Sequence, residues 1–179
     1  MTFNRVNASI KDSVDPDSEM NAKYQVESDS FFNDIAPSLG YKYDVVFIDG
    51  LHHTDQVDKD IKNSLNYLNP GGVIVLHDCN PLSEMRQRVP ADFDIWKYGW
   101  NGDVWKSIFK FRKENPYQLY KTFVIESDEG LGVIKPGEEG VELKLEYPSE
   151  FTYEYFNSNR QEILNLVRVN EFLSNPSLY

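Results

Sequence analysis

Two short apolar runs dominate the chain, Val45-Val-Phe-Ile48 and Val73-Ile-Val-Leu76, and each ends in acid and imidazole side chains. Continuous Val/Ile runs are the mark of parallel strands buried on both faces, and the connection between such strands must be long enough to hold a helix. Between the runs Val57, Ile61, Leu65 and Leu68 recur at steps of four, four and three, with Asp58, Lys59, Asp60, Lys62 and Asn63 on the other side. This pattern predicts strand, amphipathic helix, strand, with Thr54 as the N-cap and Asn69-Pro-Gly-Gly72 as the stop. In open α/β sheets the carboxyl ends of parallel strands share one rim, and ligands bind beyond it. Asp49, His52, His53, His77, Asp78 and Asn80 are therefore expected to converge.

The pattern is weaker elsewhere. Residues 1–13 are polar without a sustained period and read as a weakly specified arm, followed by one domain over 14–179. Val14-Asp-Pro-Asp17 and Lys23-Tyr-Gln-Val26 read as short strands, and Ser28 to Ile35 as a capped helix start carrying Phe31, Phe32 and Ile35. A loop from Pro81 to Gly99 leads to a helix near Asp103 to Lys113, which Asn115-Pro116 ends. Leu119 to Ile125 and Gly132 to Lys135 read as strands joined at Asp128-Glu-Gly130, a hairpin signal. Val141 to Tyr147 alternates as a half-exposed strand does, and the later part of Tyr153 to Leu173 reads as helix through Ile163, Leu164, Val167 and Phe172.

Charge narrows the partners. Eighteen basic against 29 acidic side chains give a net charge of −11, which repels phosphate backbones and anionic lipid, so neither nucleic acid nor a membrane surface is expected. The single cysteine, Cys79, has no partner within the chain, and the sequence shows no apolar signal core or spanning run. A reducing cytoplasm is the expected setting.

The order of motifs carries more than any one of them. Val14-Asp-Pro-Asp17, Ser28-Asp-Ser-Phe-Phe32, Phe47-Ile-Asp-Gly-Leu-His52, Asn69-Pro-Gly-Gly72, His77-Asp78, Trp100-Asn-Gly-Asp-Val-Trp-Lys106 and Gly130-Leu-Gly-Val-Ile134 together resemble the class I S-adenosylmethionine-dependent methyltransferases. The likeness covers roughly residues 10 to 173 and is nearest the small-domain group associated with sugar and polysaccharide biosynthesis. It implies a Rossmann-like α/β fold, mostly parallel with an antiparallel hairpin at one edge, and methyl transfer to an oxygen of a small, sugar-type acceptor. By the same resemblance Asp15 holds the cofactor ribose, Ser28 and Asp29 lie beside the adenine, and Asp49 lies near the methionine amino group or a metal.

One departure from the family stands out. Its first strand and glycine-rich turn, which approach the methionine part of the cofactor, have no counterpart before Asp15. The expectation is a truncated form of a longer protein, or a gap filled by the arm or a second copy. With several hydrogen bonds of about 1 kcal/mol each lost, cofactor affinity is expected to fall by about two orders of magnitude or more, so that S-adenosylmethionine binds weakly or not at all. The unfilled sheet position also predicts that the Val45 strand is an edge or pairs with an unexpected partner, and that the molecule forms a homodimer that covers the opening.

Each candidate residue has a plainer reading beside it. Asp15 and Asp17 flank Pro16 and also suit a turn. His52 lies three residues after Asp49, where an imidazole can take a proton from an attacking hydroxyl, with Asp78 as its catalytic companion; His53 reads as a solvated loop residue. Asp49, Asp78 and Asn80 alternatively offer the hard oxygen donors that suit Mg²⁺. Trp105 reads as core, Asp103 as a helix cap, the aromatic tail Phe151 to Phe156 as packing or dimer contact, and Cys79 as a small buried residue. The functional rivals to methyl transfer are a non-catalytic remnant or interaction module and, third, a metal-dependent hydrolase using Asp49, His52, His77 and Asp78.

Overall fold

The computed structural model describes residues 3–91, 99–115, 119–137 and 142–179. It divides into two compact units, Met1–Tyr41 and Lys42–Tyr179.

In the first unit the two strands read from the sequence reduce to a single parallel bridge between Val14 and Tyr24. The reason is local: Pro16 has no N–H to extend a ladder, and the Asp17 N–H turns back to Asp15 Oδ1 at 2.9 Å. A helical turn, α1 (Ser28–Ser30), continues through a π-type turn at Phe31–Ile35 and a 3-10 turn at Ala36–Ser38. Phe31 is buried against the Tyr24 ring. Asp12 ties the ends of the unit by accepting from Lys23 Nζ at 2.6 Å and from the Tyr41 hydroxyl at 2.7 Å.

The second unit contains the central element pair as expected. Strand β1 (Tyr43–Ile48), helix α2 (Thr54–Asn66) and strand β2 (Leu68–Leu76) follow one another, and β1 pairs with β2 in parallel. Asn69 to Gly72 lies inside β2, where it shifts the register between the Tyr43–Leu68 and Val45–Val73 pairs. Helix α3 (Val104–Glu114) comes next, followed by β3 (Tyr120–Ile125) and β4 (Leu131–Pro136). The turn between these strands holds Asp128, Glu129 and Gly130 at positive φ. The chain closes with α4 (Tyr153–Leu164), the two-residue strand β5 (Leu166–Val167) and α5 (Val169–Ser174).

The sheet order is β1-β2-β4-β3-β5. This is an α/β, Rossmann-like arrangement, but two of its four ladders are parallel and two antiparallel, and the hairpin sits inside the sheet. The tail is not one helix: Asn165 adopts a left-handed conformation that ends α4, and the chain then adds β5 beside β3. The strand expected from Val141 to Tyr147 also fails over 142–147, where Leu143 is buried without a ladder partner among the described residues; Val141, Pro116 and residues 92–98 of the expected Pro81–Gly99 loop lie outside the described residues.

The larger core cluster lies on one face of this sheet, and a smaller one is formed by Phe123, Val133 and Val167 with Val73, Ile125, Phe172 and Tyr179 packed against them. Ile74 and Leu76 of β2 meet Val57 and Ile61 of α2 and Trp105, Ile108 and Phe109 of α3, with Phe156, Ile163 and Leu164 of α4 closing the cluster. Trp105 is fully buried, and Phe151 and Phe156 pack on its ring, so these aromatics are core. β1 departs from the two-faced burial read from its sequence, since it is an edge strand with Val45 60% and Phe47 53% exposed. No helix among the described residues is long and apolar enough to cross a membrane.

Candidate active site

The parallel pairing of β1 and β2 carries their carboxyl ends to one rim. Asp49 follows β1, His77 and Asp78 follow β2, and His52 stands in the short loop that enters α2. The His77 N–H donates to the Ile48 carbonyl at 3.0 Å, holding the two strand ends level. His52 Nε2 lies 3.5 Å from Asp49 Oδ1 and 3.4 Å from Asp78 Oδ2. His77 Nδ1 lies 2.8 Å from Asp78 Oδ2 and 3.2 Å from Asp49 Oδ1, and its Nε2 is 3.4 Å from Asp128 Oδ2. Two carboxylates and two imidazoles thus share one small volume.

The segment after Gly99 builds the wall of this cluster. His52 Nδ1 lies 3.0 Å from the Trp100 carbonyl, and the two rings stack with centroids 5.2 Å apart. A carbonyl oxygen only accepts, so the Nδ1 proton is fixed there and Nε2 is aimed at the carboxylates. Asn101 is fully buried and donates through Nδ2 to Asp78 Oδ1 at 2.9 Å, which leaves Oδ2 for the imidazoles. Gly102 has a positive φ, and a Cβ there would stand 1.9 Å from the His52 carbonyl oxygen, so only glycine fits. The Asp103 N–H donates to that same carbonyl at 3.1 Å.

Asp103 caps a helix, but not the one expected. Its Oδ1 accepts from the Thr54 N–H at 2.7 Å, capping α2 from outside, while Oδ2 meets Lys106 Nζ at 2.9 Å. Thr54 is accordingly the first helical residue, with His53 in the cap position. An N-cap pattern read along one helix does not reveal a cap supplied by another.

The electrostatics follow from the geometry. Burial opposes ionisation of Asp49, but hydrogen bonds from His52 and His77 outweigh it and hold the carboxyl far below the usual range. Hydrogen bonds to Asp49 and then Asp78 push His77 up to about 11 against the cost of burial, so it is an imidazolium at neutral pH. Burial lowers His52, yet Asp49, Asp78 and the Trp100 carbonyl together raise it above the ordinary imidazole value. Burial pushes the Cys79 thiol well above the usual range, in keeping with a packing role.

The sequence candidates fall into two groups. Asp49, His52 and Asp78 meet in the second unit, and one ligand atom from each lies within 4.8 Å of the others. Asn80 does not join them, because its Oδ1 accepts from Arg160 Nη1, which also donates to the Pro81 carbonyl at 2.9 Å. Asp15, Ser28 and Asp29 lie in the first unit, where Ser28 opens α1, Asp29 stands in its first turn, and the Asp15 N–H donates to the Tyr24 carbonyl at 3.1 Å while its Oδ1 accepts from the Asp17 N–H. Sequence reasoning missed Asn101 and Arg160. Asn101 lies within a motif it had singled out for its tryptophans, whereas nothing local marks Arg160 as a partner of Asn80.

Comparison with known proteins agrees with the fold. No curated protein matches the chain. Residues 6–79 match the family described as a methyltransferase domain, a span that takes in Asp15, Ser28, Asp29, Asp49, His52 and Asp78 and stops short of Trp100 and Asn101. Over that span the chain is similar to a methyltransferase domain.

Proposed function

We propose that this chain transfers the methyl group of S-adenosylmethionine to a hydroxyl oxygen of a small acceptor of sugar type. The observation that carries this reading is the aim of His52: its proton is fixed on Nδ1 by the Trp100 carbonyl, and its Nε2 faces the rim beside two carboxylates. As the acceptor oxygen attacks the methyl carbon, the O–C bond forms and the C–S bond breaks. The sulfonium leaves as a neutral thioether, and the hydroxyl proton passes to His52 Nε2. Asp49 and Asp78 stabilise the resulting imidazolium, and Asn101 keeps Asp78 turned toward it.

The remaining assignments rest on the family resemblance, with Asp15 on the ribose, Ser28 and Asp29 beside the adenine, and Asp49 near the methionine amino group. The reaction needs positioning and a base, not a covalent enzyme intermediate.

The test is methyl transfer from radiolabelled S-adenosylmethionine to a panel of hydroxylated sugars, comparing wild type with His52→Ala. Loss of a general base lowers turnover about 10²–10⁴-fold, with cofactor affinity little changed. Equal turnover by the two proteins would remove His52 from the mechanism.

A further inference from the structure

The chain leaves β2 through a turn that is held at three places. Asp78 stands in it at φ 60°, a left-handed conformation that a residue with a side chain keeps only where its surroundings over-determine it. Two of the holds come from the hairpin turn and from Asn101. The Cys79 and Asn80 N–H groups donate to the Gly130 and Glu129 carbonyls at 3.0 and 2.8 Å, and Asn101 grips the Asp78 carboxylate. The third hold comes from α4. Arg160 Nη1 donates to Asn80 Oδ1 and, at 2.9 Å, to the Pro81 carbonyl. Its Nη2 donates to the Tyr153 hydroxyl at 3.2 Å and to Asn157 Oδ1 at 2.9 Å, and the guanidinium lies 4.4 Å from the centroid of the Phe156 ring.

We infer that Arg160 is a positioning residue for the proton-accepting site: by holding Asn80 and Pro81 it fixes the turn that carries Asp78, and with it the place of Asp78 Oδ2 beside His52 Nε2. The path from one to the other is short. Asn80 is buried and lies two residues from Asp78, and a Cβ on Gly130 would stand 2.5 Å from the Asn80 Cβ, so the turn has no slack toward the hairpin. Arg160 is itself fixed, since its two terminal nitrogens meet four oxygens and its plane rests on Phe156, a fully buried core residue. A planar fork suits that duty, whereas the single nitrogen of a lysine reaches only part of it. The residue lies beyond the span 6–79 that matches a methyltransferase domain, so the assignment stands on the contacts alone. The plainer alternative is that Arg160 only anchors α4 to the sheet, which would cost stability without moving Asp78.

The effect on turnover rests on the methyl-transfer reading, whereas the effect on the turn is measured without cofactor or acceptor, so failure of either is visible by itself. The first experiment compares variants of the ¹⁵N-labelled 179-residue chain. Its probes are the Asp78 backbone amide and the Asn101 side-chain amide, whose hydrogen bond to Asp78 Oδ1 reports where the carboxylate stands. Arg160→Met keeps an apolar stem over Phe156 and removes the donors, while Ile163→Val weakens the same helix from within the core. Both signals should shift in Arg160→Met, shift less in Arg160→Lys and keep their wild-type positions in Ile163→Val. In the methyl-transfer assay, turnover should fall about tenfold to a hundredfold in Arg160→Met, with KM for S-adenosylmethionine little changed and partial recovery in Arg160→Lys. Signals unmoved in Arg160→Met, or moved as far in Ile163→Val, would overturn the inference, as would full turnover by Arg160→Met. A wild type that transfers no methyl group defeats the methyl-transfer reading and leaves the amide signals to decide. Should Arg160→Met not fold, Arg160→Lys takes its place in the comparison with Ile163→Val.

Discussion

The carbonyl oxygen of Trp100 lies 3.0 Å from Nδ1 of His52, and the indole of the same residue stacks on the imidazole. One residue therefore sets both the tautomer and the plane of the ring proposed as base. The arrangement depends on close backbone approach at Gly102, two residues further on.

Gly102→Ala should disrupt this approach. The backbone is left-handed there, and the new Cβ would meet the His52 carbonyl at 1.9 Å, so strain and displacement add. The expected loss exceeds the roughly 1 kcal/mol of an average substitution, read as a lowered urea midpoint. A midpoint equal to that of the wild type would show that the segment can move away from His52 at no cost.

Asn101→Ala tests the hold on Asp78. A buried hydrogen bond to a charged group contributes about 1.5–3 kcal/mol, and the carboxylate would be left with the imidazoles alone. Thermal melting should show the loss, and Asn101→Asp should be worse than alanine because it sets a like charge against Asp78. The reverse order would mean that Asn101 serves packing alone.

The pH dependence of stability has a definite sign. His77 is raised from 6.5 to about 11 on folding, so its contribution is fully present below the unfolded value and lost as pH rises through the folded one. Asp49 is lowered from 3.8, so its contribution is present above that value and lost as pH falls below it. Urea midpoints should decline from pH 7 to 11 in the wild type and decline less in His77→Gln. Parallel curves for the two proteins would contradict the assignment of the imidazolium.

The β1 edge should make the protein associate. Val45 and Phe47 are exposed on a strand with one free edge, the kind of surface that pairs with another chain. Light scattering should show mass rising with concentration, and Val45→Lys should suppress it. A stable monomer across the micromolar range would remove the expectation of a dimer.

The central unit was legible because it is written twice, in the apolar runs and in the period of Val57, Ile61 and Leu65 between them. The convergence of Asp49, His52, His77 and Asp78 followed from parallel pairing alone. What stayed hidden depended on contacts distant in sequence. Asp103 caps α2 across 49 residues, and Arg160 claims Asn80 across 80. The tail misled for a different reason: Ile163, Leu164 and Val167 keep a helical spacing through Asn165, where a left-handed residue breaks the helix and Val167 becomes strand. The short strands at Val14 and Tyr24 had pattern enough for a bridge, but Pro16 and the Asp15 turn left no ladder to extend.

If the methyl donor is handled at the Asp49, His52 and Asp78 cluster, titration of S-adenosylmethionine into the ¹⁵N-labelled chain gives saturable shifts of the Asp49, His52 and Asp78 amides, and S-adenosylhomocysteine gives the same pattern. Saturation without any shift at these three residues, or no saturable shift in the protein, would contradict it.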